Sequence, residues 1–200
     1  MYLYMNIIGG ECPGEDGPFM QIVLASASPR RRELLARAGI DFVVLPSDAE
    51  ETAQGTPMEM ATANARIKAM AAAEDSRPIL AADTLVALDG MALGKPRDDA
   101  HAREMLRALS GRTHQVYTGV CVRLGDTCYT ACERTDVTFL PLSDLTIDTY
   151  ISSGEPRGKA GAYAVQGPAG AFVAHMEGPV DNVIGLPVAL VQTMLEKIQR

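Results

Sequence analysis

The chain has 200 residues, of which 47% are hydrophobic and 22% are charged, and its formal net charge is −7. This composition predicts a globular protein with a sizeable core and excludes a largely disordered chain. The acidic balance argues against general nucleic-acid binding, which requires a broad basic surface, but local cations can still hold a small anion. No stretch approaches the roughly 18 apolar residues that indicate a transmembrane helix.

The first twenty residues show no hydrophobic periodicity and lack the basic and apolar regions of a signal peptide. We therefore predict a loose extension over residues 1–20 and a single domain over residues 21–200. The four cysteines and three histidines have no zinc-ligand spacing. Reduced thiols in a cytoplasmic protein are the expectation.

A buried strand, a tight turn and a basic helix open the domain. Residues 21–25 are the predicted strand, Ser28 is a good N-cap, and Pro29 suits the first helical position. Three arginines, 30–32, follow in the first turn, where the positive end of the helix dipole disfavours cations. Because free N–H groups at a helix start bind anions, this pattern indicates either a phosphate site or a solvated basic face.

An acidic loop and a lysine-bearing helix come next. A strand over residues 42–45 leads into a loop that contains Glu51, which is either solvated or a metal ligand that faces the arginines. A capping box at Thr56 begins a helix over residues 57–73. Lys68 lies among alanines of this helix, and its ammonium either reaches inward or extends to solvent.

A second buried strand carries an aspartate within an apolar run. Residues 78–82 form this strand, Asp83 and Thr84 come at its end, and residues 85–88 continue it into a hairpin. A buried lone carboxylate is costly unless it is paired, although such an acid can also serve only as a structural hydrogen-bond acceptor. Lys95 lies just across the hairpin, so a paired Asp83–Lys95 site is expected.

The second half of the chain mixes strands and helices without strict alternation. Its predicted elements cover residues 98–109, 115–123, 128–140, 143–151, 172–176 and 188–199. A glycine-rich segment over residues 154–170 either approaches a ligand with its backbone or only turns the chain. The whole pattern predicts an α/β fold with a long, mixed and strongly twisted sheet.

The charged candidates together suit a triphosphate held with a divalent metal cation, Mg²⁺ or Mn²⁺. They are four cations and two acids: Arg30, Arg31, Lys68, Lys95, Glu51 and Asp83. Arginine grips phosphate in a bidentate fork, and Mg²⁺ takes one or two carboxylates together with phosphate oxygens. The sequence contains neither a Walker A loop nor a credible Ser-His-Asp set, so the expected chemistry is attack of water on phosphorus with a carboxylate base.

Several ordered motifs resemble those of the Maf family of nucleoside triphosphate pyrophosphatases. The matching segments are residues 26–31, 50–51, 68, 82–84, 95–96, 166–167 and 185–187. The resemblance runs from Ile22 to the C-terminus. It implies an inosine triphosphatase-like fold, with two lobes around a cleft, and a homodimer.

The resemblance also implies a role for each candidate residue. Asp83 would accept a proton from the attacking water, although it can instead be a metal ligand, and Glu51 would help to hold the metal. The phosphates would contact Ser28, Arg31, Lys68 and Lys95. Cleavage between the α and β phosphates would give a nucleoside monophosphate and pyrophosphate, which is the activity of a nucleotide diphosphatase.

Three positions resemble those that sort substrates within the family: Arg30, Thr84 and Gln166. The branch that acts on 7-methyl-GTP tends to carry an aromatic residue, a glutamine and a glutamate there. The residues of this chain favour dTTP and UTP, because an amide can both donate to and accept from thymine or uracil. One departure is the predicted loop over residues 178–181, where the family more often has Gly-Ser-Tyr. The alternatives are a 7-methyl-GTP pyrophosphatase and a nucleotide-binding regulator of cell division.

Overall fold

The computed structural model describes residues 20–200. The predictions of a loose extension over residues 1–20 and of no signal peptide therefore fall, apart from Met20, outside the described residues. Within residues 20–200, none of the helices combines the length and the hydropathy that a membrane span requires.

One mixed sheet runs through the described part of the chain. Its strands are β1 (Ile22–Leu24), β2 (Phe42–Val44), β3 (Ile79–Leu88), β4 (Met91–Leu93), β5 (Thr113–Leu124), β6 (Thr127–Phe139) and β7 (Val173–Glu177). Their order is β2-β1-β3-β5-β6-β7, and β4 pairs with the outer part of β3. The pairs that β1 forms with β2 and β3 are parallel, and the other pairs are antiparallel. The predicted mixed α/β fold is thus confirmed.

The helices are α1 (Pro29–Arg37), α2 (Pro57–Ala71), α3 (Asp99–Leu109), α4 (Asp144–Ser152), α5 (Val180–Ile184) and α6 (Val188–Ile198). The first four begin where a side chain caps them, at Ser28, Thr56, Asp98 and Ser143. Each cap accepts a hydrogen bond from a backbone N–H of the first turn, which would otherwise be unpaired. The sequence predicts the first two of these caps, Ser28 and Thr56.

Helix α5 corrects the prediction of a loop over residues 178–181. The helix runs from Val180 to Ile184, and the residue that follows it is Gly185, whose φ of 128° few other residues adopt. With only five residues it is too short to show a hydrophobic period. It is held instead by the Asp181 carboxylate, which accepts a hydrogen bond at 2.8 Å from the backbone N–H of Val188.

The hydrophobic core of the described residues has three parts. Two lie on opposite faces of the sheet, and the third lies at its far end. Helices α1 and α6 cover one face of β1, β3 and β5, while α2 covers the opposite face. Successive side chains of β1 point to opposite faces of the sheet, so Leu24 packs with α1 and α6 whereas Val23 packs with α2. Helices α3 and α4 pack with the outer ends of β3, β5 and β6. These two groups of elements form two lobes that share the long central strands.

Strand β3 passes from one lobe into the other, and its midpoint carries the predicted catalytic residue. The sequence predicts Asp83 at a strand end, but this residue lies inside the continuous ladder that β3 forms with β5. Its partner in register is Gly119. The ladder continues through the carboxylate position because the backbone hydrogen bonds do not depend on the side chain.

Candidate active site

A cavity of about 350 Å³ opens where the two lobes meet. The nine residues that the sequence predicts for the site all line it: Ser28, Arg30, Arg31, Glu51, Lys68, Asp83, Thr84, Lys95 and Gln166. They come from the start of α1, the irregular segment before α2, α2 itself, β3, the segment after β4, and the segment before β7. The fold therefore gathers residues that are far apart in the sequence around one cavity.

The Asp83 carboxylate is buried in this cavity. Its Oδ1 atom accepts a hydrogen bond at 2.6 Å from the Lys68 ammonium, and its Oδ2 atom accepts one at 3.2 Å from the Asn64 side-chain amide. The same Lys68 ammonium lies 2.7 Å from Oε1 of Glu51. The Lys68 side chain is 16% exposed, so it reaches inward rather than extending to solvent. One lysine thus joins a buried carboxylate to a half-exposed one.

The predicted pairing of Asp83 with Lys95 is wrong. The Lys95 side chain is exposed on the cavity wall and forms no ion pair with any residue of 20–200. Lys68 takes the partner position because α2 packs directly on β3 and β5 and points this side chain at the middle of β3. Lys95 therefore keeps a free charge for a ligand.

Asn64 is a site residue that the sequence analysis missed. Besides contacting Asp83, its side chain accepts a hydrogen bond from the Thr52 N–H at 2.7 Å and donates one to the Thr52 carbonyl at 3.2 Å. These bonds fix the irregular segment that carries Glu51. The available signal was spacing, since Asn64 precedes Lys68 by four residues and shares its helical face.

Arg31 is held in the cavity wall by three hydrogen bonds. Its Nε donates to the Gly185 carbonyl at 2.9 Å, and its two terminal nitrogens donate to Ser26 Oγ at 3.0 Å and Thr84 Oγ1 at 3.3 Å. Burial lowers the pKa of Arg31 to about 10; Asp83 opposes this shift and Arg30 adds to it. The guanidinium therefore remains charged at neutral pH and presents its remaining N–H donors in a fixed direction.

A buried chain of polar groups supports Arg31 from behind. The Thr84 hydroxyl lies 3.0 Å from that of Thr118, which donates to the Asn182 carbonyl at 2.9 Å. The Asn182 amide donates in turn to the Val116 carbonyl at 3.1 Å. Thr118 and Asn182 carry no sequence signal for this role, because single polar residues in strands and short helices are common.

Arg30 and the start of α1 face the same cavity with unused donors. The Nε atom of Arg30 is buried and has no hydrogen-bond partner within residues 20–200. Ser28 caps the helix with its hydroxyl, which accepts from the Arg31 N–H at 3.5 Å. A buried charged donor without a partner is unfavourable, so this end of the cavity favours an anion.

The opposite wall is formed by the glycine-rich segment. Gly161 adopts a φ of 66°, and a Cβ there would lie 2.9 Å from the side chain of Val86. This close approach brings Lys159 and Gln166 to the cavity. Lys159, which the sequence analysis did not select, contacts the backbone carbonyl of Glu155 and lies 3.3 Å from its carboxylate. The segment thus approaches the cavity with backbone as well as side chains.

The departure at residues 178–181 lies away from this wall. The Thr135 hydroxyl donates to the Pro179 carbonyl at 2.9 Å, which ties the segment to β6. The residues that reach the cavity come later, at the end of α5 and at Gly185 after it.

Known proteins match the chain over most of its length. A family profile described as Maf-like protein matches residues 21–198. Proteins named dTTP/UTP pyrophosphatase from Bacillus cereus (strain ZK / E33L), Bacillus mycoides (strain KBAB4) and Bacillus anthracis are each 46% identical over 173 residues, which is 84% of this chain and 91% of each relative. The solved structure of the Staphylococcus aureus Ham1 protein matches with a TM-score of 0.53 and 19% identity, over 89% of this chain and 99% of that one. The Ham1 likeness shows a shared fold, and the sequence matches place the chain in the Maf family.

Proposed function

We propose that this protein hydrolyses dTTP and UTP, and modified pyrimidine triphosphates of the same shape, to a nucleoside monophosphate and pyrophosphate. The single observation that carries the proposal is the cavity that holds the buried Asp83 carboxylate together with Arg30 and Lys95, which have no ion-pair partner within residues 20–200. The names of relatives that are 46% identical supply the substrate class.

The phosphate groups would lie between the start of α1 and Lys95. Arg30 and Lys95 carry charges without partners among the described residues, and Arg31 is oriented by three hydrogen bonds. Charged donors fixed around the transferring group stabilise the charge that develops on it and on the leaving pyrophosphate. Ser28 adds the polar start of the helix at the same wall.

Asp83 is the proposed general base. Its carboxylate is buried and held by Asn64 and Lys68, so it has a fixed direction toward the cavity. It would accept a proton from a water molecule as that water attacks the α phosphorus, and the bond from the α phosphorus to the bridging oxygen would break.

The proposal includes a divalent cation, Mg²⁺ or Mn²⁺, at Glu51 and Asp83. Their carboxylate oxygens are the ligands that such hard cations prefer. Within residues 20–200 no group of three or more His, Cys, Asp or Glu side chains converges, so phosphate oxygens and water would supply the other ligands. When bound, the cation neutralises phosphate charge.

The base would lie against the wall that carries Gln166. The side-chain amide can donate to a carbonyl and accept from an N–H of thymine or uracil. Arg30 and Thr84 are proposed to shape the same selectivity. Thr84 would act through Arg31, because its hydroxyl is already bonded to that guanidinium at 3.3 Å. A homodimer and a cytoplasmic location are further parts of the proposal.

The experiment is pyrophosphate release from a panel of nucleoside triphosphates, with and without Mg²⁺ or Mn²⁺. We expect dTTP and UTP to be cleaved fastest, and Asp83→Asn to lower kcat by at least about 100-fold, as loss of a general base does. Asp126→Asn, the same change in an exposed turn, is the matched control and should behave as wild type.

Other outcomes point to the alternatives. Preferred cleavage of 7-methyl-GTP would contradict the assignment of Arg30, Thr84 and Gln166 while keeping the reaction. Binding of triphosphates without hydrolysis would favour a nucleotide-binding regulator. An Asp83→Asn protein that still rescues a division defect would do the same.

A further inference from the structure

The Lys68 ammonium bridges both carboxylates of the cavity. Its Nζ atom lies 2.6 Å from Oδ1 of Asp83 and 2.7 Å from Oε1 of Glu51. Of the described residues that line the cavity, these two alone carry a carboxylate. A single positive charge therefore lies between the two groups to which a divalent cation would bind.

We propose that Lys68 and a divalent cation compete for this position. In the free protein Lys68 blocks cation binding to Glu51 and Asp83. A bound triphosphate attracts the ammonium to its own oxygens and so frees the two carboxylates. The inference rests on the proposed function, which supplies the triphosphate and the cation. It adds an order of events: the cation binds with the nucleotide or after it.

Distance makes the competition direct. A divalent cation held by both carboxylates would take the space between their oxygens. The ammonium already lies there within hydrogen-bond distance of both oxygens. Because a divalent cation beside this ammonium repels it twice as strongly as a unit charge would, the two cannot share the position favourably.

Lys68 can also move without dismantling the site. Its charge is at the end of a flexible four-carbon stem, whereas Arg31 is fixed by three hydrogen bonds. The remaining contacts of Asp83 and of the Glu51 segment to α2 run through Asn64. Departure of the ammonium therefore leaves the carboxylates in place.

The test is Mn²⁺ binding to nucleotide-free protein, measured by the electron paramagnetic resonance signal of unbound Mn²⁺. We expect weak binding to wild type and at least tenfold tighter binding to Lys68→Met. Lys95→Met is the matched control, because it removes the same charge from the same cavity without releasing a carboxylate. Lys95→Met should change the Mn²⁺ affinity clearly less than Lys68→Met does. Adding Glu51→Gln to Lys68→Met should cancel the gain.

Equal tightening in Lys68→Met and Lys95→Met would show a general charge effect and overturn the inference. Wild type that binds Mn²⁺ as tightly as Lys68→Met would also overturn it. Lys68→Gln is measured in parallel, with thermal unfolding of each variant, so that a misfolded methionine variant does not decide the result.

A second measurement tests the role of the triphosphate. An α,β-methylene analogue of dUTP should raise the Mn²⁺ affinity of wild type, after correction for the Mn²⁺ that the analogue binds without protein. This gain in affinity should be smaller in Lys68→Met. An unchanged gain in Lys68→Met would contradict the role of the ammonium. Pyrophosphate release is measured separately. If wild type releases pyrophosphate but the Mn²⁺ affinities do not differ as expected, only this inference is refuted. If the Mn²⁺ affinities differ as expected but no pyrophosphate is released, only the proposed hydrolysis is refuted.

Discussion

A Cβ atom at Gly119 would lie 2.1 Å from the carbonyl oxygen of Ala61. Gly119 pairs with Asp83 in the β3–β5 ladder, so the bare backbone at this point lets α2 lie directly on the strand pair that holds the carboxylate. Asn64 and Lys68 follow Ala61 by about one and two helical turns. The missing side chain at Gly119 therefore sets how closely both polar groups approach Asp83.

Gly119→Ala should destabilise the protein and weaken the site together. The added methyl group must push α2 away from the sheet, and such overpacking lowers the free energy of unfolding by about 1–3 kcal/mol. Urea denaturation measures this change, and pyrophosphate release should fall because Lys68 and Asn64 move away from Asp83. Gly94→Ala is the control for stability, since a Cβ there meets open space. Equal stability of the two variants would contradict the close approach of α2.

Arg31→Lys should be costly although it keeps the charge. A lysine cannot reproduce the three directed bonds to Ser26, Thr84 and Gly185. Because hydrogen bonds to charged groups contribute about 1.5–3 kcal/mol, the free energy of unfolding should fall by about 2 kcal/mol and KM for the triphosphate should rise. Urea denaturation and steady-state kinetics measure the two effects.

Arg32→Lys provides the comparison for that change. Arg32 is the exposed neighbour on α1 and does not line the cavity. It should match wild type in both measurements. If Arg31→Lys also matches wild type, the guanidinium does not orient the phosphate end of the site.

Local signals in the sequence predict most of the fold. Ser28 and Thr56 mark helix starts by their capping chemistry, and this chemistry holds in the structure. Helix α5 has no comparable signal, because it depends on the bond from Asp181 to a backbone group seven residues later. Local chemistry predicts elements whose stabilising contacts lie close in the sequence.

The sequence predicts which residues form the site but not which of them pair with one another. Ordered motifs identify Asp83, Lys68 and Lys95, and the structure places all three on one cavity. Which lysine pairs with Asp83 depends on the distance between α2 and the sheet, and Gly119 sets that distance from another strand. Such a pairing cannot be read from the spacing across a hairpin.

Gln166→Glu should reduce selectivity for pyrimidine triphosphates. A carboxylate accepts hydrogen bonds but cannot donate to a base carbonyl, so one bond to thymine or uracil is lost. The new charge would also lie near Glu155, whose carboxylate is 3.1 Å from the Cβ position of Gly167. We expect kcat/KM for dTTP and UTP to fall by about tenfold or more, which corresponds to roughly 1–3 kcal/mol for the unpaired group. Unchanged kcat/KM would remove Gln166 from base recognition.

The buried His114 ring should make stability depend on pH. Its Nε2 lies 2.8 Å from the Tyr163 hydroxyl, and its Nδ1 has no partner within residues 20–200. Burial lowers the pKa of His114 from 6.5 to about 4, and Asp136 opposes this shift only in part. The native state therefore binds fewer protons than the unfolded state between these two values.

This difference in proton binding determines whether the free energy of unfolding rises or falls with pH. Above pH 6.5 the ring is neutral in both states, whereas between pH 6.5 and about 4 the unfolded state takes up the proton first. The free energy of unfolding should thus fall by about 2–3 kcal/mol from neutral pH to about pH 4.5 through this group. Urea denaturation across this range measures the fall. His114→Gln, less stable at neutral pH, should show a shallower decline, and parallel declines in the two proteins would mean that His114 titrates normally in the native state.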